Sequence, residues 1–329
     1  MKESFVADLK PGLALNTTFL VQGKELKKAR TGSTYLEVRL QDATGVILGR
    51  MWDVDGEEFD FEVNDLVKVK AQVEEYLGTA QLRLRAIAKH GADADLRDYL
   101  PRGRRDPEAA YASLLERLRQ MPEGPIRQLL LAVTEDEEIA RQFKLAPAAV
   151  LYHHAYLGGL LDHVCSLVEL ADRVSDHYPE LNRDLVIAGL VLHDLGKIEE
   201  LSYHGAFRYS TRGQLVGHIM IALDVVREKI KGVPEFPAGL RDRIEHIILA
   251  HHGKLEFGSP KEPMFPEALV VHYLDDLDSK LESMRAQFEA DRTRPGDWTA
   301  RNRALGRELL KSETTAAAPG GPAAGHHPR

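Results

Sequence analysis

Histidines and aspartates, side chains that bind divalent ions and move protons, recur through the second half of the chain. The series comprises His153-His154, His163, His193-Asp194, His218, His251-His252, Asp275-Asp276 and Asp278. The pair His193-Asp194 closes an apolar run over 185–192, just before Gly196. An imidazole and a carboxylate at the end of a buried helix each require a partner, and a divalent cation satisfies both. These residues therefore predict a site for Mn, Fe, Zn, Ni or Co.

Composition narrows the class of protein. Cys165 is the single cysteine of 329 residues, which excludes an internal disulfide and argues against a structural zinc knuckle, so the expected ion is catalytic. The N-terminal residues lack the apolar run of a secretory signal, and no stretch reaches the ~18 to 20 apolar residues of a membrane span. We expect a soluble, cytoplasmic protein with no membrane partner. The net charge of -8 argues against a surface built wholly to coat nucleic acid, but it leaves room for a local basic patch.

The first 90 residues alternate apolar and polar side chains with the period of β-strands. In the segment 35–41, Leu36, Val38 and Leu40 alternate with charged and polar residues, and the segments 67–73 and 81–87 behave in the same way. Strands over 14–22 and 46–52 bring the number to five. Five short strands with no room for long helices predict a small five-stranded OB-type β-barrel.

A polar run over 24–30 is predicted to form the loop between the first two of these strands. OB domains hold single-stranded nucleic acid on one sheet face and the adjoining loops. The candidates for contacts to phosphates are Lys24, Lys27, Lys28 and Arg30, and the candidates for stacking on bases are Tyr35 and Trp52. The alternative is a solvated charge run, with the aromatic rings filling the barrel.

After residue 90 the apolar residues follow the period of helices, so the chain is predicted to be a multidomain α and β protein. We divide it into an OB-fold nucleic-acid-binding domain at 1–90, a helical connector at 91–149 and an all-α helical bundle at 150–290. A C-terminal helical extension is predicted at 291–313. The tail at 314–329 is rich in Ala, Pro and Gly, which predicts disorder.

The order of these motifs resembles the HD-domain phosphohydrolases, all-helical metalloenzymes that hydrolyse phosphate esters. His163, His193-Asp194 and Asp275 match the H...HD...D signature of that superfamily. Two further motifs, Gly217-His218-Ile219 and His251-His252-Gly253, match ligands of its binuclear members. Placed behind a barrel, the motifs resemble the YhaM-type 3'-5' exoribonuclease family, which joins an OB-fold to an HD domain.

This resemblance implies two divalent metal ions. The first is assigned to His163, His193, Asp194 and Asp275, and the second to Asp194, His218 and His251, with His252 as a neighbour whose role relative to His251 stays open. Mn is the expected ion, with Fe, Co, Ni or Zn as alternatives. Asp162 and Asp278 are expected to orient ligands rather than to bind the ions.

Asp194 and Lys197 are the expected catalytic residues. Lys197 could neutralise a phosphate oxygen, and the alternative is a charge that stabilises a helix end. Substrate contacts in the helical half are expected from His154, Arg208, Arg212, Lys254 and Ser259. The alternatives are that His154 caps or packs a helix and that the two arginines lie in an ordinary surface loop.

The function that the resemblance implies is metal-dependent 3'-5' exoribonuclease activity, in which two metal ions activate water for attack on the terminal phosphodiester. The expected partner is single-stranded RNA, with single-stranded DNA as an open alternative. Two other functions stay open: an HD phosphodiesterase acting on small or cyclic nucleotides, and a non-catalytic RNA-binding module. The sequence does not determine the oligomeric state, so a homo-oligomer is also open.

Overall fold

A closed barrel of five strands forms the N-terminal part of the molecule. The computed structural model of this chain describes residues 2, 4–29, 32–76, 78–91, 95–103, 105–150, 154–203, 207–292 and 294–311. The strands are β1 (Ala14–Lys28), β2 (Thr34–Asp42), β3 (Gly45–Met51), β4 (Leu66–Tyr76) and β5 (Thr79–Lys89). They follow the order β1-β2-β3-β5-β4, and β4 closes on β1. β3 and β5 run parallel, and the other pairs are antiparallel.

The barrel interior is filled by the apolar side chains that alternate along the strands. Phe19, Leu36 and Leu82 are wholly buried there, while charged residues that alternate with them, such as Arg39 and Arg83, are exposed. This alternation gives each strand one face that leaves water, which is the main favourable contribution to folding. The predicted OB-type barrel is confirmed.

The polar run at 24–30 is predicted to be a loop. In the structure its residues as far as Lys28 belong to a strand. β1 continues to Lys28 and pairs Lys27 with Tyr35 and Lys28 with Thr34. Leu26, in the middle of this extension, is 56% exposed. Because the extension is not obliged to bury one face, its sequence lacks the alternation by which a strand is predicted.

The remainder of the chain is mainly helical. The helices are α1 (Pro107–Arg119), α2 (Pro125–Thr134), α3 (Glu137–Phe143), α4 (Gly159–His177), α5 (Arg183–Leu192), α6 (Lys197–Glu200), α7 (Thr211–Val216), α8 (His218–Lys231), α9 (Ala238–Ala250) and α10 (Pro266–Ala290). A two-stranded hairpin, β6 (Leu201–Ser202) and β7 (Arg208–Tyr209), lies between α6 and α7. The predicted all-α domain is confirmed apart from this small hairpin. Within the described ranges, no helix has both the length and the apolar character needed to cross a membrane.

α5 lies at the centre of the helical domain. Every residue from Leu185 to Leu192 is buried, and α5 packs against α4, α9 and α10. Gly189 allows this close packing, because a Cβ at that position would overlap Ile247 of α9 and Val271 of α10. A helix that is apolar on all sides ends inside the domain, so the residues that follow it begin in the interior.

The barrel and the helical domain are joined through the segment that precedes α1. The Tyr99 hydroxyl lies 2.6 Å from Thr18 Oγ1, and Gln41 donates a hydrogen bond to the Tyr99 carbonyl at 3.0 Å. Leu20 of β1 packs into the helical core together with Tyr99 and Leu100. These contacts bury polar and apolar groups of both parts in one interface.

The prediction of a helical extension over 291–313 is wrong for the residues that are described there. The segments 291–292 and 294–311 contain turns and two isolated bridges, Trp298–Leu310 and Asn302–Arg307. Pro295 and Gly296 interrupt a helical hydrogen-bond ladder, and Gly296 adopts a φ of +85°. The tail at 314–329 lies outside the described residues.

Candidate metal centre

Helix ends and buried helix faces bring the candidate metal-ligand residues together. His163 lies on the buried face of α4, and His193-Asp194 follow the C-terminal end of α5. The other ligand residues are His218, the first residue of α8, His251-His252, which follow α9, and Asp275 on α10. His163, His193 and His251 are at most 1% exposed. The folded chain therefore concentrates imidazole and carboxylate groups in an apolar interior.

The structure brings together His163, His193, Asp194 and Asp275, the four residues that the sequence assigned to the first ion, and we call them the first ligand group. His163 Nε2 lies 3.2 Å from Asp275 Oδ1 and 3.9 Å from Asp194 Oδ2. His193 Nε2 lies 3.4 Å from Asp194 Oδ2 and 3.8 Å from Asp275 Oδ1. The four candidate ligand atoms lie within 4.8 Å of one another, a separation at which one cation could contact them all.

Asp194 also faces a second group, formed by His218, His251 and His252. Its Oδ1 atom lies 3.5 Å from His218 Nε2 and 3.7 Å from His251 Nε2. His252 belongs to the same cluster of candidate ligand atoms. One carboxylate oxygen of Asp194 thus points to each group, so this aspartate could contact a cation in either group.

The backbone fixes the orientation of three of these imidazoles. The Nδ1 atoms donate to main-chain carbonyls, His193 to Leu190 at 2.9 Å, His251 to Ile248 at 2.7 Å and His252 to Phe257 at 3.0 Å. Because a carbonyl only accepts, the proton of a neutral ring must lie on Nδ1. The lone pair of Nε2 is then free to bind a metal ion.

Carboxylates fix the orientation of the other two imidazoles, His163 in the first group and His218 in the second. Asp278 Oδ2 accepts from His163 Nδ1 at 2.8 Å, as expected for a residue that orients a ligand. Glu200 Oε1 accepts from His218 Nδ1 at 3.0 Å and from the His218 backbone N–H at 2.9 Å. Glu200 was missed from the sequence, because nothing in its local pattern indicates that it meets a residue 18 positions later.

Some of the described polar atoms at the centre lack the partners that buried groups require. Among the residues that the structure describes, His193 Nε2 and Asp194 Oδ1 are buried without a hydrogen-bond partner. An unpartnered polar atom in the interior costs free energy, which a bound cation would recover. The nitrogen and oxygen donors fit a borderline or hard divalent ion, so the residues present fit a pair of such ions.

The electrostatics of the first group favour positive charge. Burial alone would raise the pKa of Asp194, but Lys197 and His193 outweigh it and hold the pKa well below its ordinary value. Burial would lower the pKa of His163, yet hydrogen bonds with Asp275 and Asp278 raise it to about 9. A divalent cation can take the place of that proton, because metal binding displaces protons from its ligands.

In the second group, burial favours the neutral form of His251 and His252. Burial, together with the neighbouring His193 and His252, holds the pKa of His251 well below its ordinary value. Burial, with His218 nearby, also lowers the pKa of His252. Neutral imidazole is the form that binds a metal ion, so these rings need not lose a proton at neutral pH to do so.

Lys197 begins α6 and lies beside the first group. Its Nζ donates to Asp194 Oδ2 at 2.7 Å, and its side chain is 12% exposed. Burial would lower the pKa of Lys197, but Asp194 and Asp275 outweigh it and raise the pKa. α6 is a single turn, so Lys197 belongs to its last turn as well as its first, and both the contact with a phosphate oxygen and the alternative of a charge at a helix end stay predictions.

The structure contradicts two of the expected substrate contacts. Ser259 is 2% exposed, and its hydroxyl lies 3.0 Å from the Leu249 carbonyl and 2.7 Å from the Lys261 carbonyl. These bonds use the hydroxyl to hold the loop after α9. His154 is 6% exposed, with Nε2 3.0 Å from Asp278 and Nδ1 2.9 Å from the Tyr156 hydroxyl. Both ring nitrogens of His154 are therefore occupied within the protein.

The other expected contacts in the helical domain are on the surface. Arg208 is exposed on β7, and Lys254 is 61% exposed with Nζ 3.6 Å from Glu256. Arg212 is half-exposed, and its guanidinium lies 3.3 Å from both Glu199 and Asp224. Their contact with substrate stays a prediction.

On the barrel, the predicted stacking residues lie side by side. The rings of Tyr35 and Trp52 have centroids 4.7 Å apart, and Trp52 is 43% exposed. The alternative that Trp52 fills the barrel is therefore wrong. Lys27 lies 2.5 Å from Glu37 and 3.1 Å from Glu25, whereas Lys28 is exposed. Arg30 lies outside the described residues.

Lys24, the other expected phosphate contact of the barrel, is used within the fold. Its Nζ donates to the Phe61 carbonyl at 2.6 Å and lies 3.2 Å from Glu62. Its side chain is only 17% exposed. The ammonium group therefore ties β1 to the segment before β4.

Comparison with known proteins identifies the family. A family model described as HD domain matches residues 160–280. The 3'-5' exoribonuclease YhaM of Bacillus velezensis is 35% identical over 299 residues, which are 89% of this chain and 93% of the relative. The 3'-5' exoribonuclease YhaM of Bacillus subtilis is 34% identical over 299 residues, with the same shares covered. With a closed barrel, an HD domain and this similarity along most of its length, the chain belongs to the YhaM-type 3'-5' exoribonuclease family.

Proposed function

We propose that this chain is a divalent-metal-dependent 3'-5' exoribonuclease that shortens single-stranded RNA from its 3' end. The observation that carries this proposal is the position of Asp194, which presents one carboxylate oxygen to each of two ligand groups. The relatives in Bacillus are named for the same activity. The fused barrel favours a polymer over a small nucleotide, because such barrels hold single strands.

The proposed first site consists of His163, His193, Asp194 and Asp275, and the proposed second site consists of Asp194, His218, His251 and His252. Two divalent ions bound there supply Lewis-acid chemistry, which polarises the scissile phosphate and lowers the pKa of water. We propose Mn²⁺ as the ion, since a mixed oxygen and nitrogen ligand set suits it. The second site is richer in imidazole, a ligand that also suits Fe, Co, Ni or Zn.

The protein side chains would orient the reactants and balance charge. Asp278 and Glu200 hold the rings of His163 and His218 so that each Nε2 faces its ion. Lys197, which contacts Asp194 at 2.7 Å, would instead contact a phosphate oxygen once cations neutralise that carboxylate. Arg208, Arg212 and Lys254 would hold the phosphates of the strand that approaches the centre.

The barrel would hold the RNA that is yet to be degraded. Tyr35 and Trp52 form an aromatic pair, half-buried at Tyr35 and exposed at Trp52, on which a base could stack, and Lys28 is an exposed cation on the same sheet. Stacking and phosphate contacts of this kind tolerate any sequence. We retain the division at residues 90, 149 and 290 as a proposal, with binding in the first domain and hydrolysis in the third.

We also propose a cytoplasmic location. Cys165 is a free, buried thiol, and burial raises its pKa to about 11, which keeps it protonated. A chain with one inert thiol depends on no disulfide for its stability and suits a reducing compartment.

Single-stranded RNA labelled at one end tests this function. With Mn²⁺, a 5'-labelled strand should yield a descending ladder, and a 3'-labelled strand should release labelled mononucleotide at the start. Asp194→Ala should lose at least about 100-fold in rate, since even outer partners of metal ligands cost 10- to 100-fold, while strand binding remains. A single-stranded DNA of the same sequence tests whether the 2'-hydroxyl matters.

Each other outcome contradicts the proposal in its own way. Release of label from the 5' end would reverse the polarity. Turnover of cyclic or small nucleotides without shortening of RNA would indicate a small-molecule phosphodiesterase. Binding of RNA with no product at any tested ion would indicate a non-catalytic module.

A further inference from the structure

A buried hydrogen-bond network lies behind the first ligand group, at the nitrogen of His163 that faces away from the ion. Asp278 Oδ2 lies 2.8 Å from His163 Nδ1 and 3.0 Å from His154 Nε2. The Ser166 hydroxyl donates to Asp278 Oδ1 at 2.6 Å. Because the carboxylate accepts, His154 donates from Nε2. Asp278 is therefore held by three side chains, of which only His163 is a proposed metal ligand.

The network continues from the other nitrogen of His154. Nδ1 lies 2.9 Å from the Tyr156 hydroxyl, which donates to Asp162 Oδ2 at 2.9 Å. His154 is 6% exposed, so its contacts are shielded from water. In such surroundings hydrogen bonds are stronger, and a ring held at both nitrogens keeps one orientation.

The backbone of His154 is strained in a way that the surrounding chain maintains. Its φ of +45° lies in the left-handed region, which side-chain-bearing residues rarely adopt. The Ala148 N–H donates to the His154 carbonyl at 3.1 Å. Gly159 allows the first turn of α4 to lie against the same carbonyl, because a Cβ there would overlap it. Strain of this kind persists where neighbours enforce it and concentrates at functional sites.

We propose that His154 is a positioning residue for the first metal ion. By holding Asp278 in place, it fixes the ring plane of His163 and keeps the proton on Nδ1, so that Nε2 faces the ion. Ser166 lies on α4 together with His163, whereas His154 reaches Asp278 from the segment before that helix. The inference rests on the metal centre of the proposed function and assigns His154 a role other than substrate contact.

His154→Asn is the informative variant. Asn tolerates the left-handed backbone better than other side chains do, and it is too short to reach Asp278 as the imidazole does. The measurement is the pair of dissociation constants for Mn²⁺, obtained on metal-free protein by competition with a chelating dye. We expect the affinity for one ion to fall about 10- to 100-fold and that for the other to stay within about twofold.

Tyr156→Phe provides a second variant that keeps the His154 ring. It removes the hydroxyl partner of Nδ1, so the affinity for the same ion should fall by a smaller factor. Tyr111→Phe is the matched control, because its buried hydroxyl donates to the Thr134 carbonyl at 2.7 Å, outside this network. We expect that control to bind both ions as the unchanged protein does.

Three results would overturn the proposal. Unchanged affinity for both ions, with a lower melting temperature of the metal-free His154→Asn protein, would mean that His154 only supports its loop. Equal weakening of both ions would mean that the whole centre is disturbed rather than His163. If the protein without any substitution bound no Mn²⁺, the metal centre itself would be refuted, and with it the proposed function.

Discussion

At the scale of single residues, the centre is defined by what lies behind each imidazole. Every ring of the two ligand groups has its Nδ1 atom engaged, by a carbonyl for His193, His251 and His252 and by a carboxylate for His163 and His218. A carboxylate partner raises the basicity of a ligating imidazole more than a carbonyl does, and it fixes the ring as well. The two rings held by carboxylates belong to different groups, so each site can be weakened separately.

Glu200→Gln should weaken the second ion selectively. The variant removes the charge behind His218 while it keeps an oxygen at the same position, so the affinity for one Mn²⁺ should fall about tenfold. Competition with a chelating dye measures both dissociation constants. Glu199→Gln is the control, because that exposed carboxylate contacts Arg212 instead of a ligand. If Glu200→Gln lowered the affinity for the same ion that His154→Asn weakens, the assignment of Glu200 to the second site would be contradicted.

At the scale of elements, the position of His218 depends on how closely α6 approaches α8. A Cβ at Gly196 would overlap the His218 carbonyl and the Ala222 amide. Gly196→Ala should therefore separate the two helices, cost about 1 to 3 kcal/mol of unfolding free energy and reduce the affinity for the second ion. Denaturant unfolding with Mn²⁺ titration measures both effects.

Gly239→Ala is the matched control for that change. Gly239 lies in α9, and a Cβ there would meet open space. The control should be neutral or stabilising by up to about 1 kcal/mol, since alanine favours helix. If Gly196→Ala and Gly239→Ala changed the unfolding free energy and the Mn²⁺ affinity equally, the requirement for glycine at position 196 would not come from close packing of α6 on α8.

Asp172 ties three helices together in a pH-dependent way. Its Oδ1 accepts from Arg117 of α1 at 2.6 Å and from Arg183 of α5 at 2.5 Å. Burial would raise the pKa of Asp172, but these hydrogen bonds outweigh it and lower the pKa. A carboxyl whose pKa is lower in the folded state stabilises the fold above its ordinary pKa of 3.8, and this contribution disappears as the pH falls further.

Asp172→Asn should therefore lower the free energy of unfolding by about 0.5 to 1 kcal/mol at pH 7. The difference from the unchanged protein should shrink as the pH falls below about 4 and then through the lowered pKa of the folded state, because the carboxyl becomes protonated in both states only below that pKa. Urea unfolding at pH 7 and at pH 3 measures this difference in unfolding free energy. Asp176→Asn, which removes a more exposed partner of Arg183, should have a smaller effect. If the difference in unfolding free energy between Asp172→Asn and the unchanged protein grew as the pH fell, it would contradict a lowered pKa of Asp172 in the folded state.

The elements also show what a sequence can and cannot predict. The alternation in β2 and the histidine motifs at helix ends were sufficient to predict a barrel and a list of ligands, because both patterns are local. Glu200, Ser166 and the internal contacts of His154 could not be predicted, since they depend on which helices meet. Ser259 was misjudged because a hydroxyl in a polar loop looks the same in sequence whether it faces a ligand or a carbonyl.

At the scale of the whole molecule, we propose that the barrel binds RNA and the helical domain hydrolyses it. Replacing Tyr35 and Trp52 together by Ala removes the aromatic pair on the barrel, and loss of stacking on one base costs about 1 to 3 kcal/mol. We expect KM for single-stranded RNA to rise about tenfold or more, with hydrolysis of bis(p-nitrophenyl) phosphate unchanged. Tyr178→Ala, at an exposed ring of the helical domain, is the control. Equal loss on both substrates would place the defect outside RNA binding.

The central claim is that two cations lie on either side of Asp194. Anomalous X-ray scattering from crystals of the chain grown with Mn²⁺ tests it most directly. We expect two peaks about 3.5 to 4 Å apart, one within the group of His163, His193 and Asp275 and one within the group of His218, His251 and His252, with Asp194 between them. A single peak, or peaks bound by other residues while these side chains remain without a metal ion, would contradict it.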